Sequence, residues 1–488
     1  MRALFVIALL ATVLSGAGCG RSLQRPERNF TVEAPRAWTG AATLPESGAQ
    51  GDWWAYFGDA GLDQAIQRAL QRNHDLRAAA ERVEAARAQV RIAGAAELPS
   101  VDLSINRGRE RRNFVGFPIP GSEGSILSTT FTSASLGLNL SWEADVWGRI
   151  QSGKLAAMAD AQVREADLQA ARLSLTGQVS KAWFAAIEAS HQVAVARATL
   201  QSYTTSAERV RARFESGLKP SLDLRLALTE VANAEAQLKQ RLEQRDRAIR
   251  QLEILLGQYP DGDHELAEDL PRVPTGVPAG LPSELVHRRP DLAAAERRLL
   301  AADARISQAK SELKPRFTLT SGTGTASNTL KDLLDNDVFV WNLIGGLTQP
   351  LFNNGRLKAG VKQNEALAAE AAATYESLML TAYQEVESAL AAENFLAGQE
   401  TALEAATRQS QAARDLAEQR YRLGLADIIT LLSSQRSALN AESQLLAVRR
   451  LRLENRVNLH LALGGGFRID STAPGAIQND SQTGRPRL

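Results

Sequence analysis

Arg213-Phe214-Glu215-Ser216-Gly217-Leu218, running on to Asn233-Ala234-Glu235-Ala236-Gln237-Leu238, is answered by Arg420-Tyr421-Arg422-Leu423-Gly424-Leu425, running on to Asn440-Ala441-Glu442-Ser443-Gln444-Leu445. The two stretches hold register without a gap at a shift of 207 positions, which marks an internal repeat. A second echo lies upstream. Asp75-Leu76 with Ala78-Ala79, followed by Pro99, matches Asp291-Leu292 with Ala294-Ala295, followed by Pro315, at a shift of 216 because the intervening loops differ in length. The chain is therefore two copies of one helix, strand and long-helix unit. Two similar hairpins side by side suit a wall or a tube better than a globule.

The repeated stretch is the tip of a helical hairpin. From Gly148 to Lys219 there is no proline, alanine is abundant, and Leu168, Leu175, Val179, Trp183 and Ile187 recur along one helical face. This predicts one helix of about 65 residues, roughly 100 Å long at 1.5 Å per residue. Its copy runs from Gly355 to about Leu423. Ser216-Gly217 and Leu423-Gly424 then supply residues able to take the left-handed conformation that ends a helix, and Pro220 suits the first turn of the next. The returning helices, Ser221 to Leu256 and Ile428 to Leu463, are shorter by almost half. The upstream helices, His74 to Glu97 and Pro290 to Leu313, have the length to stack on them end to end. The heptads are too irregular for a free-standing coiled coil.

Strands are expected where the long helices begin. Leu136, Leu138, Leu140 and Trp142 alternate with Gly137, Asn139 and Ser141, as Val101, Leu103 and Ile105 do with their neighbours. In the second copy Phe317 and Leu319 alternate with threonines, and Phe339, Trp341 and Leu343 follow the same period less cleanly. Each run is about 9 to 12 residues, the length of a tilted transmembrane strand, with a small soluble sheet as the other reading. Four strands are too few to close a barrel, so crossing a membrane requires edges to pair with other copies: a homo-oligomer.

The start of the chain has the parts of a secretory signal: Arg2, an apolar run from Ala3 to Leu14, and the small residues Ser15 to Gly18. The one cysteine in 488 residues, Cys19, sits where that signal is cut and so reads as the lipidated first residue of a lipoprotein. Gly16-Ala17-Gly18 also satisfies an ordinary signal peptidase, which would leave Cys19 an unmodified N-terminus. Residues 1–18 are thus the expected signal, 19–60 an anchored segment, 61–259 the first repeat, 260–282 a Pro-rich linker, 283–466 the second repeat and 467–488 a disordered tail. Lys and Arg number 56 against 55 Asp and Glu, a balance that gives no basic excess for nucleic acid. The local exception is Arg107, Arg109, Arg111 and Arg112, expected at the end of the first strand as a solvated strand end or loop, with an anion-attracting pore mouth as the other reading.

The turn Asp145-Val146-Trp147-Gly148-Arg149-Ile150 and its partner Phe352-Asn353-Asn354-Gly355-Arg356-Leu357, together with Arg289-Pro290-Asp291-Leu292 and Leu463-Gly464-Gly465-Gly466, resemble the hallmarks of TolC-like outer-membrane efflux channels. The resemblance is closest to the NodT or OprM-type lipoproteins, and it extends through Trp53-Trp54 and Phe57-Gly58-Asp59 to cover about residues 40 to 466. It implies a mainly α fold with a membrane β-barrel: a trimer in which each protomer gives four strands to a twelve-stranded barrel and its helical hairpins to a periplasmic α-barrel. The implied function is the outer-membrane exit duct of a tripartite efflux system, with a periplasmic adaptor and an inner-membrane pump of the resistance-nodulation-division type as partners. The rivals are a type I secretion duct and a pore-less, lipid-anchored periplasmic scaffold of helices.

No enzyme chemistry is visible. His74, His191, His264, His287 and His460 are scattered without metal spacing, there is no second cysteine, and Gly464-Gly465-Gly466 sits at a helix end, so neither metal nor cofactor is expected. The candidate site is the far end of the hairpins. Gly217, Leu218, Gly424 and Leu425 mark the tips where the implied adaptor docks. By position relative to the tip glycines, Asp223 and Tyr421 match an acid and a tyrosine that link neighbouring helices at the closed entrance of the resembled channels. The arginine of that network corresponds to Ala426, and its two constricting acids to Thr430 and Ser433, so Asp427 is the expected substitute carboxylate. Asp223 and Asp427 also stand where helix N-termini favour acids.

Overall fold

The computed structural model describes residues 31–32, 35, 37–39, 52–114, 127–274 and 288–465. The signal segment, Cys19, His287, residues 275–282 of the joint and the 467–488 tail lie outside the described residues. A one-turn helix at Trp53–Phe57 leads into α1 (Ala60–Arg72), α2 (His74–Ala95), the strands β1 (Ser100–Phe114) and β2 (Leu127–Ala144), and the hairpin α3 (Arg149–Glu215) and α4 (Ser221–Leu255). The second copy gives α5 (Pro290–Ser311), β3 (Arg316–Ser327), β4 (Phe339–Thr348), α6 (Arg356–Arg422) and α7 (Ile428–Ala462). The lengths match helix for helix: 22 residues for α2 and α5, 67 for α3 and α6, 35 for α4 and α7.

Both hairpins turn by the same backbone device. Gly217 and Gly424 take φ of 72° and 74°, and Leu218 N and Leu425 N each donate 2.8 Å back to Arg213 O and Arg420 O. A carbonyl in the last turn of each long helix is thereby satisfied, and the left-handed glycine costs no side-chain clash.

The short helices do stack on one another. Asn73, which caps α2 by accepting from Leu76 N, donates through Nδ2 to Leu255 O at 3.1 Å, so α4 ends where α2 begins. In the second copy the equivalent Arg289 donates through Nη1 to Ala462 O at 3.1 Å, joining α7 to α5. At both joints a left-handed glycine slips under a backbone carbonyl: a Cβ on Gly257 would lie 2.6 Å from Arg72 O, and one on Gly464 2.1 Å from Arg288 O. Arg289 is buried and pairs with Asp291 at 2.7 Å and Glu385 at 2.6 Å. Burial alone would lower its pKa, but those hydrogen-bonded carboxylates hold it above the ordinary arginine value.

The core is distributed along the helices instead of gathered at one point. At the joints Trp53, Leu62, Ile66, Phe184, Ile187, Leu252 and Leu453 are almost wholly buried, and Trp183 Nε1 donates to Asp59 Oδ2 at 2.8 Å. His460 lies stacked 5.2 Å from Trp53, and burial pushes its pKa down to about 4, so it is neutral in neutral water. A segment from the front of the chain is laid across the second repeat: Thr31 bonds Glu376 through N and Oγ1 at 3.0 and 2.7 Å, and Thr39 bonds Glu387 at 2.8 and 2.6 Å. Trp38 packs among Leu292, Tyr383 and Val386.

The four strands form one antiparallel sheet in chain order, β1-β2-β3-β4, so β1 and β4 are edges left open within the protomer. Leu103 pairs with Leu138, Leu138 with Thr323, and Thr323 with Trp341, so all four side chains share a face. That face carries Val101, Leu103, Ile105, Leu343 and Leu347, between half and two-thirds exposed, while Ser104, Asn139 and Asn342 lie on the other. β1 and β2 are longer than expected, 15 and 18 residues, because their outer halves continue as strand where the apolar signal stops and Arg, Ser and Thr take over. The four arginines therefore lie inside β1 and paired to β2, where a strand end or loop was expected.

Candidate functional site

The tips bring two hairpins together within one protomer. Tyr203, Ala207 and Val210 of α3, Ala227 of α4, Tyr421 of α6, and Ile428 and Leu431 of α7 form one buried cluster. Around it, side chains stitch the first copy to the second. Arg209 pairs with Glu418 at 2.7 Å, Arg436 with Glu230 at 2.6 Å, and Gln435 donates to Ser202 and Ser206 at 3.0 and 3.2 Å. Arg213 reaches across to the end of α6 and donates to Tyr421 O and Arg422 O at 3.0 and 2.7 Å, occupying carbonyls that a helix end leaves free.

Tyr421 is the centre of this arrangement and is almost fully buried, 2% exposed. The Arg213 guanidinium stands 5.2 Å from its ring centroid and the Lys219 ammonium 5.7 Å, a cation on the π face from the other hairpin. Its hydroxyl meets no hydrogen-bond partner among the described residues, and burial pushes its pKa up. Asp223 lies 3.7 Å from Lys219. Asp427 is exposed and caps α7, accepting from Thr430 N at 2.7 Å; the Thr430 hydroxyl and backbone hold its carboxyl below the usual range. Asp223, Tyr421 and Lys219 are thus brought together, and Asp427, a helix cap, lies near enough for the Lys219 charge to help hold its carboxyl down.

The apexes themselves are bare. Leu218, Leu222, Leu423, Leu425 and Ile429 are 63–74% exposed, an apolar crown for a partner to cover. Sequence reasoning missed Arg213 as a reader of carbonyls, together with the Arg209–Glu418 and Arg436–Glu230 pairs. One signal was available. Arg213 and Arg420 are the same position in the two copies, yet only Arg213 finds carbonyls of the other hairpin to bond. Among the described residues no cluster of His, Cys, Asp and Glu is arranged to hold a metal.

The outer membrane efflux protein family model matches residues 65–258 and 281–465, one stretch for each copy. The outer membrane protein OprJ of Pseudomonas aeruginosa is 34% identical over 469 residues, covering 94% of this chain and 95% of its own. The pyoverdine export outer membrane protein OpmQ of Pseudomonas putida is 34% identical over 447 residues, covering 90% and 93%. Among solved structures, the outer-membrane channel OprN superposes with a TM-score of 0.81 at 28% identity, covering 90% of this chain and 98% of that one. In this fold three copies close the open β1 and β4 edges into one barrel and gather the tips at the periplasmic end. A duplicated chain with this sheet, these hairpins and these relatives belongs to the outer membrane efflux protein family, as the trimeric outer-membrane duct of a tripartite efflux system.

Proposed function

We propose that the duct is passive and that its entrance is closed at the tips by Tyr421, Asp223 and Asp427, acting with Arg213 and Lys219. The observation behind this reading is the burial of Tyr421 beneath two cations of the neighbouring hairpin, which ties the end of α6 to the end of α3. Opening a rim of tips requires hairpins to part, and charge-assisted contacts of this kind hold them until a partner pulls. The bare leucines beside Gly217 and Gly424, Leu218 and Leu425 among them, are the docking points for the periplasmic adaptor, and the inner-membrane pump is of the resistance-nodulation-division type. No step of catalysis and no cofactor is needed. A pore-less scaffold would have no use for Val101, Leu103 and Ile105 standing 62%, 65% and 67% exposed in a row.

Planar-bilayer recording tests the gate. Combining Asp223→Ala with Tyr421→Ala is expected to raise single-channel conductance, because Lys219 loses its acid and both cations lose the ring at the contact between hairpins. Three Asp427 carboxylates at a constriction favour cations, so Asp427→Asn is expected to weaken cation preference. Unchanged conductance and selectivity in folded trimers would place the gate elsewhere on the tips.

The same reading has Cys19 carrying lipid as an outer-membrane anchor. Intact mass of the mature protein is expected to show acyl chains and a glyceryl group on Cys19. A free Cys19 thiol, or a mature start at another residue, refutes the anchor and leaves the duct standing.

A further inference from the structure

The arginines of β1 divide between the two faces of the sheet. Arg107, Arg109 and Arg111 continue the row of Val101, Leu103 and Ile105 on the apolar, lipid-facing side, since successive same-face residues are two apart. Arg112 points the other way with Glu110, and those two pair with each other at 3.0 Å. The outward three are opposed on β2 by Ala134, Thr132 and Thr130, small residues that make a low bed beside them. Arg111 donates to Ser128 Oγ at 2.8 Å. Arg107 and Arg109 enter no ion pair among the described residues. Asp332, in the connection after β3, is taken up by the hydroxyls of Thr329 and Ser327.

The height of this row is set by the strand. On β2 the apolar face runs from Ala144, level with Phe317, to Leu136, level with Ile105. At about 3.4 Å per residue and a tilt of about 40°, Leu136 stands roughly 21 Å above Ala144, and Ala134 with Arg107 roughly 26 Å above it. The apolar band of such barrels is about 25 Å tall. The helices leave from the Ala144 end, so Arg107 stands just past the hydrocarbon at the outer leaflet, with Arg109 and Arg111 at successive heights of about 5 Å beyond. A charge on the lipid face costs little at that height and much below it.

We propose that Arg107, Arg109 and Arg111 form an outward-facing site for the phosphorylated saccharide headgroup of the outer leaflet's glycolipid. A guanidinium binds phosphate oxygens through paired N–H donors, and three in a column at headgroup depth match phosphates carried on a rigid sugar better than a single mobile phosphodiester. The proposal rests on the membrane-spanning reading of the sheet, so the channel's conductance is recorded on the same preparations to separate the two.

The test uses the full-length trimer in detergent, titrated with diphosphoryl lipid A, with its dephosphorylated form and with phosphatidylglycerol, bound lipid being counted by native mass spectrometry. The wild type is expected to hold diphosphoryl lipid A at least about tenfold more tightly than either other lipid, as charge-assisted pairing to two phosphates requires. The Arg107→Gln, Arg109→Gln, Arg111→Gln combination is expected to lose that preference. The lumen-facing pair of changes Glu110→Gln and Arg112→Gln is expected to keep it. Equal binding by the triple variant overturns the site, and so does equal binding of phosphatidylglycerol by the wild type. If the triple variant conducts as a trimer only at low yield and falls to monomers in detergent, the arginines bridge neighbouring protomers, and the lipid assignment fails.

Discussion

Replacing Leu103 with Arg is expected to abolish outer-membrane assembly, while Asn139→Arg, one step along the paired strand, leaves a folded trimer. Leu103 is paired with Leu138 near the middle of the apolar band, both side chains outward and exposed. An arginine at the midplane of a barrel's lipid face costs about 2–4 kcal/mol, and a trimer carries three, so the penalty is roughly 6–12 kcal/mol per assembly. That is comparable to the whole stability of an ordinary domain. Asn139 stands on the opposite face, donating to Ser104 Oγ at 3.0 Å and paired with Asp102, where an added cation meets water and an acid. Membrane fractionation with detergent mass analysis reads both variants. The wild type must have the mass of three chains, and a Leu103→Arg trimer at normal yield would sink the outward assignment of this face.

The second large effect is expected at a joint, where two glycines of the same conformation should respond very differently to alanine. Gly424 at the tip has φ of 74° and no atom within 4 Å of a would-be Cβ, so Gly424→Ala carries only the left-handed penalty of about 1–2 kcal/mol. Gly464 at the joint of α7 with α5 has φ of 86°, and there the added carbon would sit 2.1 Å from Arg288 O, a backbone atom that cannot swing aside. Gly464→Ala must push apart the stacked helix ends and break the Arg289 bond to Ala462 O, with the Arg289–Glu385 pair beside it. Its loss should exceed that of Gly424→Ala by about 2 kcal/mol or more, in line with the unpairing of a buried charge. Thermal unfolding of the two trimers side by side checks this, and equal melting points would show that the joint yields freely.

Much of this architecture was legible because its signals are local. A proline-free run with a left-handed glycine at its end, followed in the first copy by Pro220, describes a hairpin without reference to anything distant, and 67-residue helices stand where about 65 residues are read. The duplication supplied a second reading of every element. The outer halves of β1 and β2 were not legible, since a strand held there by cross-strand pairing alone needs no apolar alternation. The tips were half legible. Asp427 as a helix cap follows from its place before Ile428, but the burial of Tyr421 depends on Arg213 and Lys219, which lie some two hundred residues away in the chain and meet it only once the copies pack. Gly464 was visible as a helix terminator, while the carbonyls passing over it and over Gly257 belong to the stacked helix and could not be seen from either end.

The strap formed by Thr31, Trp38 and Thr39 also constrains time. Its partners, Glu376, Tyr383 and Glu387, lie about 345 residues later, so in a chain made from its N-terminus this segment has nothing to bind until most of the chain has followed. Loop closure of that span comes late, after the local hairpins that need no distant partner. Seating of the strap is therefore a report that the second copy has arrived and folded, and a protomer truncated before Glu376 would leave its leading segment without these partners.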